Sequence, residues 1–319
     1  MINISKLYKE YLDIEKNEHL NKIFSTILKH VKKDCPNQRR PKYPPLYYLI
    51  NIHSVLKDNV LWKSLAKSKF CLYNNNYHYK TIADIHRLWC EHGIYEKAHR
   101  EIINKNIIRS RDGAIKLFID ATSIINKLGS ENIGYGTETK KKQFTKLTGV
   151  CNEFGVNVAI KCEDVNTKII KFNNKDQTIR TLIHDAKTVI PTCQILRKMD
   201  SVKPSDHIEL IADKGYLTKK VNKEIMAEQK CSIVTPLKKN QKAKITEEEK
   251  EKLKGRYVVE NMFSDIKIYN RVHVRRDRNI NNYMGFVYIA CMLQSLMKNK
   301  SLSEKKKKLI IMNNNNNGK

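Results

Sequence analysis

Lys116-Leu117-Phe118-Ile119-Asp120 is where the chain changes its pattern. Before it, apolar residues recur at intervals of three and four: Leu20, Ile23, Phe24, Ile27 and Leu28 make one stripe, and Ile82, Ile85, Trp89, Ile94 and Tyr95 make a second that passes the turn at Gly93. That is helical spacing. From Leu117 onward the apolar residues alternate or run together, so Leu117 to Asp120 reads as a strand that ends in a carboxylate.

Further strands are expected at Leu147 to Cys151 and Val156 to Cys162, a hairpin around Asn152 to Gly155. Ile208 to Ala212 reads as another, followed by Asp213-Lys214-Gly215-Tyr216, and Ser232 to Thr235 as a last short one closed by Pro236. A helix is expected over Ala186 to Met199, with Asp185 at its positive end. Another runs from about Gly255 through the arginines near 275, after a charged stretch from Lys238 to Lys254. The order strand, hairpin, helix, strand, helix, strand, helix is that of an α/β fold. Three regions follow: a helical one over 1–111 interrupted by a basic, Pro-containing turn at Cys35 to Pro45, an α/β one over 112–300, and a low-complexity Lys/Asn tail over 301–319 with no assigned fold. The connection from Ile124 to Lys146, with Gly129, Gly134, Gly136 and Lys140 to Lys142, reads as a long loop.

Lys and Arg total 61 against 33 Asp and Glu, a formal charge of +28, and the pI is near 9.7. Such a balance favours a polyanionic partner, although the Asn, Lys and Ile bias of the whole chain inflates it. The longest apolar run, Tyr283 to Met297, is shorter than the ~20 residues a spanning helix needs and reads as a buried helix. No membrane partner is expected, and the first ten residues lack the apolar block of an export signal, so an intracellular protein is expected. The eight cysteines are scattered without a Cys-x-x-Cys pair, as in reduced intracellular proteins. His86 and Cys90, with His92 nearby, lack a second ligand pair and read as helix residues flanking a buried Trp89; Trp62 and Trp89 read as core.

Three acids stand out. Asp120 and Asp213 close apolar strands, where a sheet rim exposes side chains to a ligand. Taken singly, each is more readily a turn or cap residue, a common fate for Asp. Glu260 lies on a helix whose same face carries Arg256, Lys267 and Arg271, beside an apolar stripe of Val259, Phe263 and Ile266. Arg256 and Glu260 at i and i+4 are an ordinary ion pair. The basic ridge continuing through Arg271, Arg275, Arg276 and Arg278 is better suited to a phosphate backbone. Carboxylates framed by cations suit phosphodiester chemistry, in which hard oxygen ligands hold two divalent ions about 3.5 to 4 Å apart.

The chain from about Trp62 to Met297 resembles the DDE transposases of bacterial insertion sequences. Phe118-Ile-Asp120-Ala-Thr122 is similar to their first-aspartate strand, and His184-Asp185 to their Gly-Asn-x-His-Asp-Ser region, with Leu182-Ile183 in place of Gly-Asn. Ala212-Asp213-Lys214-Gly215-Tyr216 is similar to their second-aspartate motif, followed by Pro236-Leu-Lys-Lys239-Asn240. Arg256-x-x-x-Glu260-x-x-x-x-x-x-Lys267 has the spacing of their Tyr-Arg-Glu-Lys signature, with Leu253 at the tyrosine position. Upstream, His78-Tyr-Lys-Thr-Ile82 and Trp89-x-x-x-Gly93-Ile-Tyr-Glu96 resemble their helical N-terminal region.

The resemblance implies a ribonuclease-H-like mixed sheet flanked by helices and preceded by an all-helical region that binds DNA ends. It implies catalysis by Asp120, Asp213 and Glu260 as ligands of two Mg²⁺ ions, with Mn²⁺ as a substitute. Arg256, Lys267, Arg271, Arg275, Lys214 and Lys239 are then the phosphate-binding set, with Arg256 also orienting Glu260. The implied reaction is strand cleavage followed by transfer of the freed 3′-hydroxyl to target DNA. The partners implied are double-stranded DNA at element ends and target and, by analogy, a second copy of the chain. Two alternatives stay open at this point: a decayed transposase that only binds DNA, and a structure-specific nuclease of similar fold.

Overall fold

The computed structural model describes residues 17–35, 43–58, 60–67, 79–109, 113–135, 143–172, 175–216, 230–237 and 246–316. The first part is helical: α1 (Glu18–Asp34), α2 (Pro45–Asp58), a 3₁₀ turn (Trp62–Lys67), α3 (Tyr79–Glu91) and α4 (Ile94–Ile103). Asn17 caps α1 by accepting the Leu20 N–H at 3.3 Å, and Glu18 and Lys32-Lys33 complement its dipole. Both apolar stripes read from the sequence are turned inward: Ile23, Phe24 and Ile27 are buried, as are Ile82, Trp89 and Ile94. His86 is a core residue. One ring nitrogen lies 3.0 Å from the Tyr95 hydroxyl, the other 2.9 Å from the Asn282 carbonyl, and the ring stacks on Phe286.

The sheet comprises β1 (Ile115–Asn126), β2 (Gly134–Tyr135), β3 (Gln143–Cys151), β4 (Asn157–Cys162), β5 (Val165–Phe172), β6 (Lys175–Leu182), β7 (Ile208–Ile211), β8 (Cys231–Val234) and β9 (Val274–Arg275). Its order is β5-β6-β2-β3-β1-β7-β8, with β4 also on β3 and β9 also on β1. β1 is antiparallel to β3 and parallel to β7, and β7 is parallel to β8. The result is a mixed sheet flanked by helices. The hairpin of β3 and β4 lies where the sequence placed it, and so do β7 and β8.

Alternation along β1 divides the interior in two. Phe118 and Ile124 face one side with Leu147 and Cys151, joining α1 to α4 and the helices after β8 in one core. Ile115, Leu117 and Ile119 face the other with Val150, against α5 (Val189–Arg197). The described helices before β1 therefore share a core with the sheet.

Four expectations need correction. Asp120 does not end its strand: β1 continues to Asn126 because Asp120 through Ile125 pair with Gly149 through Phe144. That shortens the expected loop from Ile124, which also contains β2; residues 136–142 lie outside the described ones. A hairpin of β5 and β6, paired from Val165↔Leu182 to Phe172↔Lys175, fills a stretch with no expected element. The helix expected from Gly255 is several pieces: α6 (Glu247–Lys254), α7 (Tyr257–Lys267), the single turn α8 (Asn270–His273), β9, and α9 (Ile280–Asn316). The tail expected to have no fold continues α9 to Asn316, consistent with its Leu, Glu and Lys content.

Candidate active site

β1 has β7 on one edge as far as Phe118 and β9 from Ile125. Between them, among the described residues, no strand covers that edge, and Asp120 lies at this opening. The β1–β7 register pairs Ile115 with Ile208 and Phe118 with Ile211, so Asp120 and Asp213 each lie two residues beyond the last pair. On its other side β7 continues one residue further, with the Ala212 N–H donating to the Val234 carbonyl of β8 at 3.0 Å. Asp213 then opens a 3₁₀ turn, Lys214–Tyr216, accepting the Lys214 N–H at 2.7 Å. Asp213 is half-buried and Lys214 exposed.

The third acid arrives on α7. Val259, Met262, Phe263 and Ile266 bury one face of that helix against β1 and β3. The close approach is made by Gly149, the residue paired with Asp120 across the β1–β3 ladder. A Cβ there would stand 2.7 Å from Met262 Cε and 2.8 Å from Phe263 Cζ. Thus the missing side chain beside Asp120 lets the Glu260 helix lie on the sheet. Glu260 itself is exposed and pairs with Arg256 Nη2 at 2.9 Å. At the far end of α7, Lys267 donates a hydrogen bond to the Thr122 hydroxyl, two residues along β1 from Asp120.

Charge and burial act together here. Burial pushes the Asp120 carboxyl above its usual range; the Ala121 N–H and Arg256 oppose this, while the negative charges of Asp185 and Glu260 reinforce it. The Ala121 N–H donates to Asp120 at 2.8 Å. Burial pushes the Lys267 ammonium down, against an upward pull from Asp120. Asp120, Asp185, Glu260, Arg256 and Lys267 thus form one electrostatic neighbourhood.

The basic ridge does not extend as the sequence suggested. Arg271 and Arg275 are interior residues. Arg271 forms a bidentate pair with Asp277, at 2.7 Å and 3.1 Å, and stacks over Phe286 and Trp62. Arg275 donates to the carbonyls of Glu131, Asp277 and Arg278 and to the Thr145 hydroxyl. Both guanidiniums are committed to tying 268–279 into the core, which removes them from the phosphate-binding set. Lys239 lies outside the described residues. Arg256, Lys267 and Lys214 remain beside the acids.

The donor set suits a divalent cation in kind, since carboxylates are hard oxygen ligands. It is not drawn together into a cage: among the described residues, no three His, Cys, Asp or Glu side chains stand close enough to hold an ion as they are placed. Glu260 is turned to Arg256 instead. Lys146 and Gly149 also belong to this neighbourhood, and the sequence reading did not single them out. The detectable signal was a glycine inside an apolar strand, which marks close approach of another backbone or side chain.

Residues 186–280 match the family described as Transposase DDE domain. The matched stretch contains Asp213, Arg256, Glu260 and Lys267; Asp120 precedes it. Over that stretch the chain is similar to DDE transposases. Among solved structures, the piggyBac transposase synaptic complex with hairpin DNA, determined by cryo-EM, aligns with a TM-score of 0.49 at 11% identity over 89% of this chain and 73% of that one. No curated protein matches the chain. Among the described residues no helix is long and apolar enough to cross a membrane.

Proposed function

We propose that the protein is a DDE transposase that cuts and joins DNA strands at a site formed by Asp120, Asp213 and Glu260. What supports the reading is that β1 and β7 pair in parallel up to Phe118↔Ile211, two residues before Asp120 and Asp213, and that α7 packs on Gly149, the residue opposite Asp120. The match to a Transposase DDE domain over the part of the chain holding two of the three acids supports it. So does the sheet, whose β4-β3-β1-β7-β8 portion has the mixed order expected of a ribonuclease-H-like core.

In this reading the three carboxylates would hold two Mg²⁺ ions, which when bound would supply charge neutralisation at the phosphate and activation of the attacking oxygen. Glu260 would exchange its pairing with Arg256 for the role of ligand, which would free Arg256 for a DNA phosphate. Lys267, anchored by Thr122, sets a positive charge beside Asp120 where the reacting phosphodiester would lie. Lys214, exposed next to Asp213, contacts the DNA backbone. The helical region before β1 binds element ends, and two copies of the chain bring two ends together.

The test is strand cleavage and joining with the DNA that flanks this reading frame, in Mg²⁺. Wild-type protein should nick and join it. Glu260→Gln should lose both while keeping DNA affinity within a few-fold. Metal-dependent nicking by Glu260→Gln at the wild-type rate would remove Glu260 from the chemistry.

A further inference from the structure

Asp213 is the acid least fixed by regular structure, since the β7 ladder ends before it. The turn that follows it packs on a second short 3₁₀ turn, Asp185–Lys187. Asp185 lies against that contact: its Oδ2 is 3.6 Å from where a Cβ would stand on Gly215. Asp185 does not move freely, because its other oxygen accepts from Lys146. Lys146 is only 9% exposed and also donates to the Ile183 carbonyl at 2.7 Å.

Lys146 sits on β3 opposite Ser123 of β1, three residues from Asp120 and therefore on the other face of the sheet from the Asp120 side chain. A buried lysine is costly unless paired, and a well-packed apolar residue often serves stability as well. Here the paired carboxylate faces the Asp213 turn, against Gly215. Two further polar atoms nearby lack protein partners: the Thr148 hydroxyl, two residues along β3 on the same face as Lys146, and the Tyr216 hydroxyl at the end of the Asp213 turn. Both residues are 1% exposed. The neighbourhood under the turn is therefore polar, enclosed at Lys146, Thr148 and Tyr216 and open to solvent at Asp185, whose side chain is 37% exposed.

We propose that Lys146 and Asp185 are positioning residues for Asp213: the buried ammonium fixes the Asp185 carboxylate, which braces the Lys214–Tyr216 turn. The inference rests on the carboxylate site proposed above. Outer partners of this kind typically change metal affinity about 10- to 100-fold when removed.

The experiment measures Mn²⁺ binding to the full chain by the loss of the free-ion electron paramagnetic resonance signal, alongside thermal unfolding without metal. Asp185→Asn and Lys146→Met should each weaken Mn²⁺ binding by about 10-fold or more and lower Tm, because each leaves one partner unpaired. Combining the two changes should restore most of the Tm while Mn²⁺ binding stays weak, which a purely structural ion pair would not produce. Recovery of Mn²⁺ affinity together with Tm in the double variant, or wild-type affinity in Asp185→Asn, would overturn the proposal. Asp120→Asn is the control: if it loses Mn²⁺ binding while Asp185→Asn keeps it, the positioning role alone fails. If Asp120→Asn also binds as wild type, the carboxylate site fails and takes this inference with it.

Discussion

Gly149→Ala is the sharpest perturbation of the site that leaves every charged group chemically unchanged. The new Cβ would stand 2.7 Å from Met262 Cε and 2.8 Å from Phe263 Cζ, whereas carbon atoms in contact settle at about 3.5 to 4.0 Å. Something must give by about 1 Å. Met262 and Phe263 are both buried, so neither side chain can swing into solvent, and the simplest relief is for α7 to lift from β3. Overpacking of this kind costs about 1–3 kcal/mol, and Tm should fall by a few degrees. Because Gly149 is paired with Asp120, the same lift moves Glu260 away from the strand that bears Asp120. A displacement near 1 Å at a reacting centre costs on the order of 100-fold in rate. Tm by calorimetry and Mg²⁺-dependent nicking should therefore fall together, with DNA affinity changed little. A Gly149→Ala protein with wild-type Tm and wild-type nicking would refute the view that α7 is seated through this glycine.

Three other outcomes are expected. Arg271→Ala leaves Asp277, which is nearly inaccessible, without its partner, and should destabilise by about 3–5 kcal/mol in urea unfolding; lost DNA affinity at unchanged stability would instead restore Arg271 to the DNA surface. Lys267→Ala should lower the cleavage rate by about 10²–10³ with little change in Tm or DNA affinity, and equal losses of affinity and rate would make it a binding residue only. Asp120→Asn bears on pH. Burial raises the Asp120 carboxyl from 3.8, so the folded state holds that proton more tightly than the unfolded chain, and the penalty of the ionised group appears as pH rises through 3.8 and past the raised value. Metal-free Asp120→Asn should therefore be more stable than wild type at pH 7, with the gap closing below pH 3.8. Excess Mg²⁺ should reverse the order, because only wild type gains from binding.

What the sequence disclosed, and what it concealed, follows from the kind of signal each residue leaves. Leu117 to Ile119, Val156 to Cys162 and Ile208 to Ala212 are apolar runs closed by polar residues, and strands lie there. The second half of β1 was missed because Ala121-Thr122-Ser123 looks like a departure from the sheet, while its pairing to β3 is decided by long-range hydrogen bonds. β5 and β6 are rich in Lys, Thr, Asn and Gln, so their hairpin carries little apolar alternation; Asn173-Asn174 between them was the available turn signal. The ridge through Arg271 and Arg275 failed for another reason. Helical spacing was projected past Lys267, where the helix ends, and a one-dimensional pattern cannot tell an exposed arginine from one buried against Asp277. Lys146 acts only through neighbours distant in the chain, so its spacing says nothing of it, and Gly149 left only the mark of a glycine inside an apolar strand.

The central claim is that Asp120, Asp213 and Glu260 act as one cation site although Glu260 is turned to Arg256. Anomalous diffraction from crystals soaked in Mn²⁺ addresses it most directly. The account predicts ions bounded by these three carboxylates, with the Arg256–Glu260 pair of 2.9 Å broken. Ordered Mn²⁺ bound only elsewhere, with Glu260 still held by Arg256 at saturating metal, would contradict it.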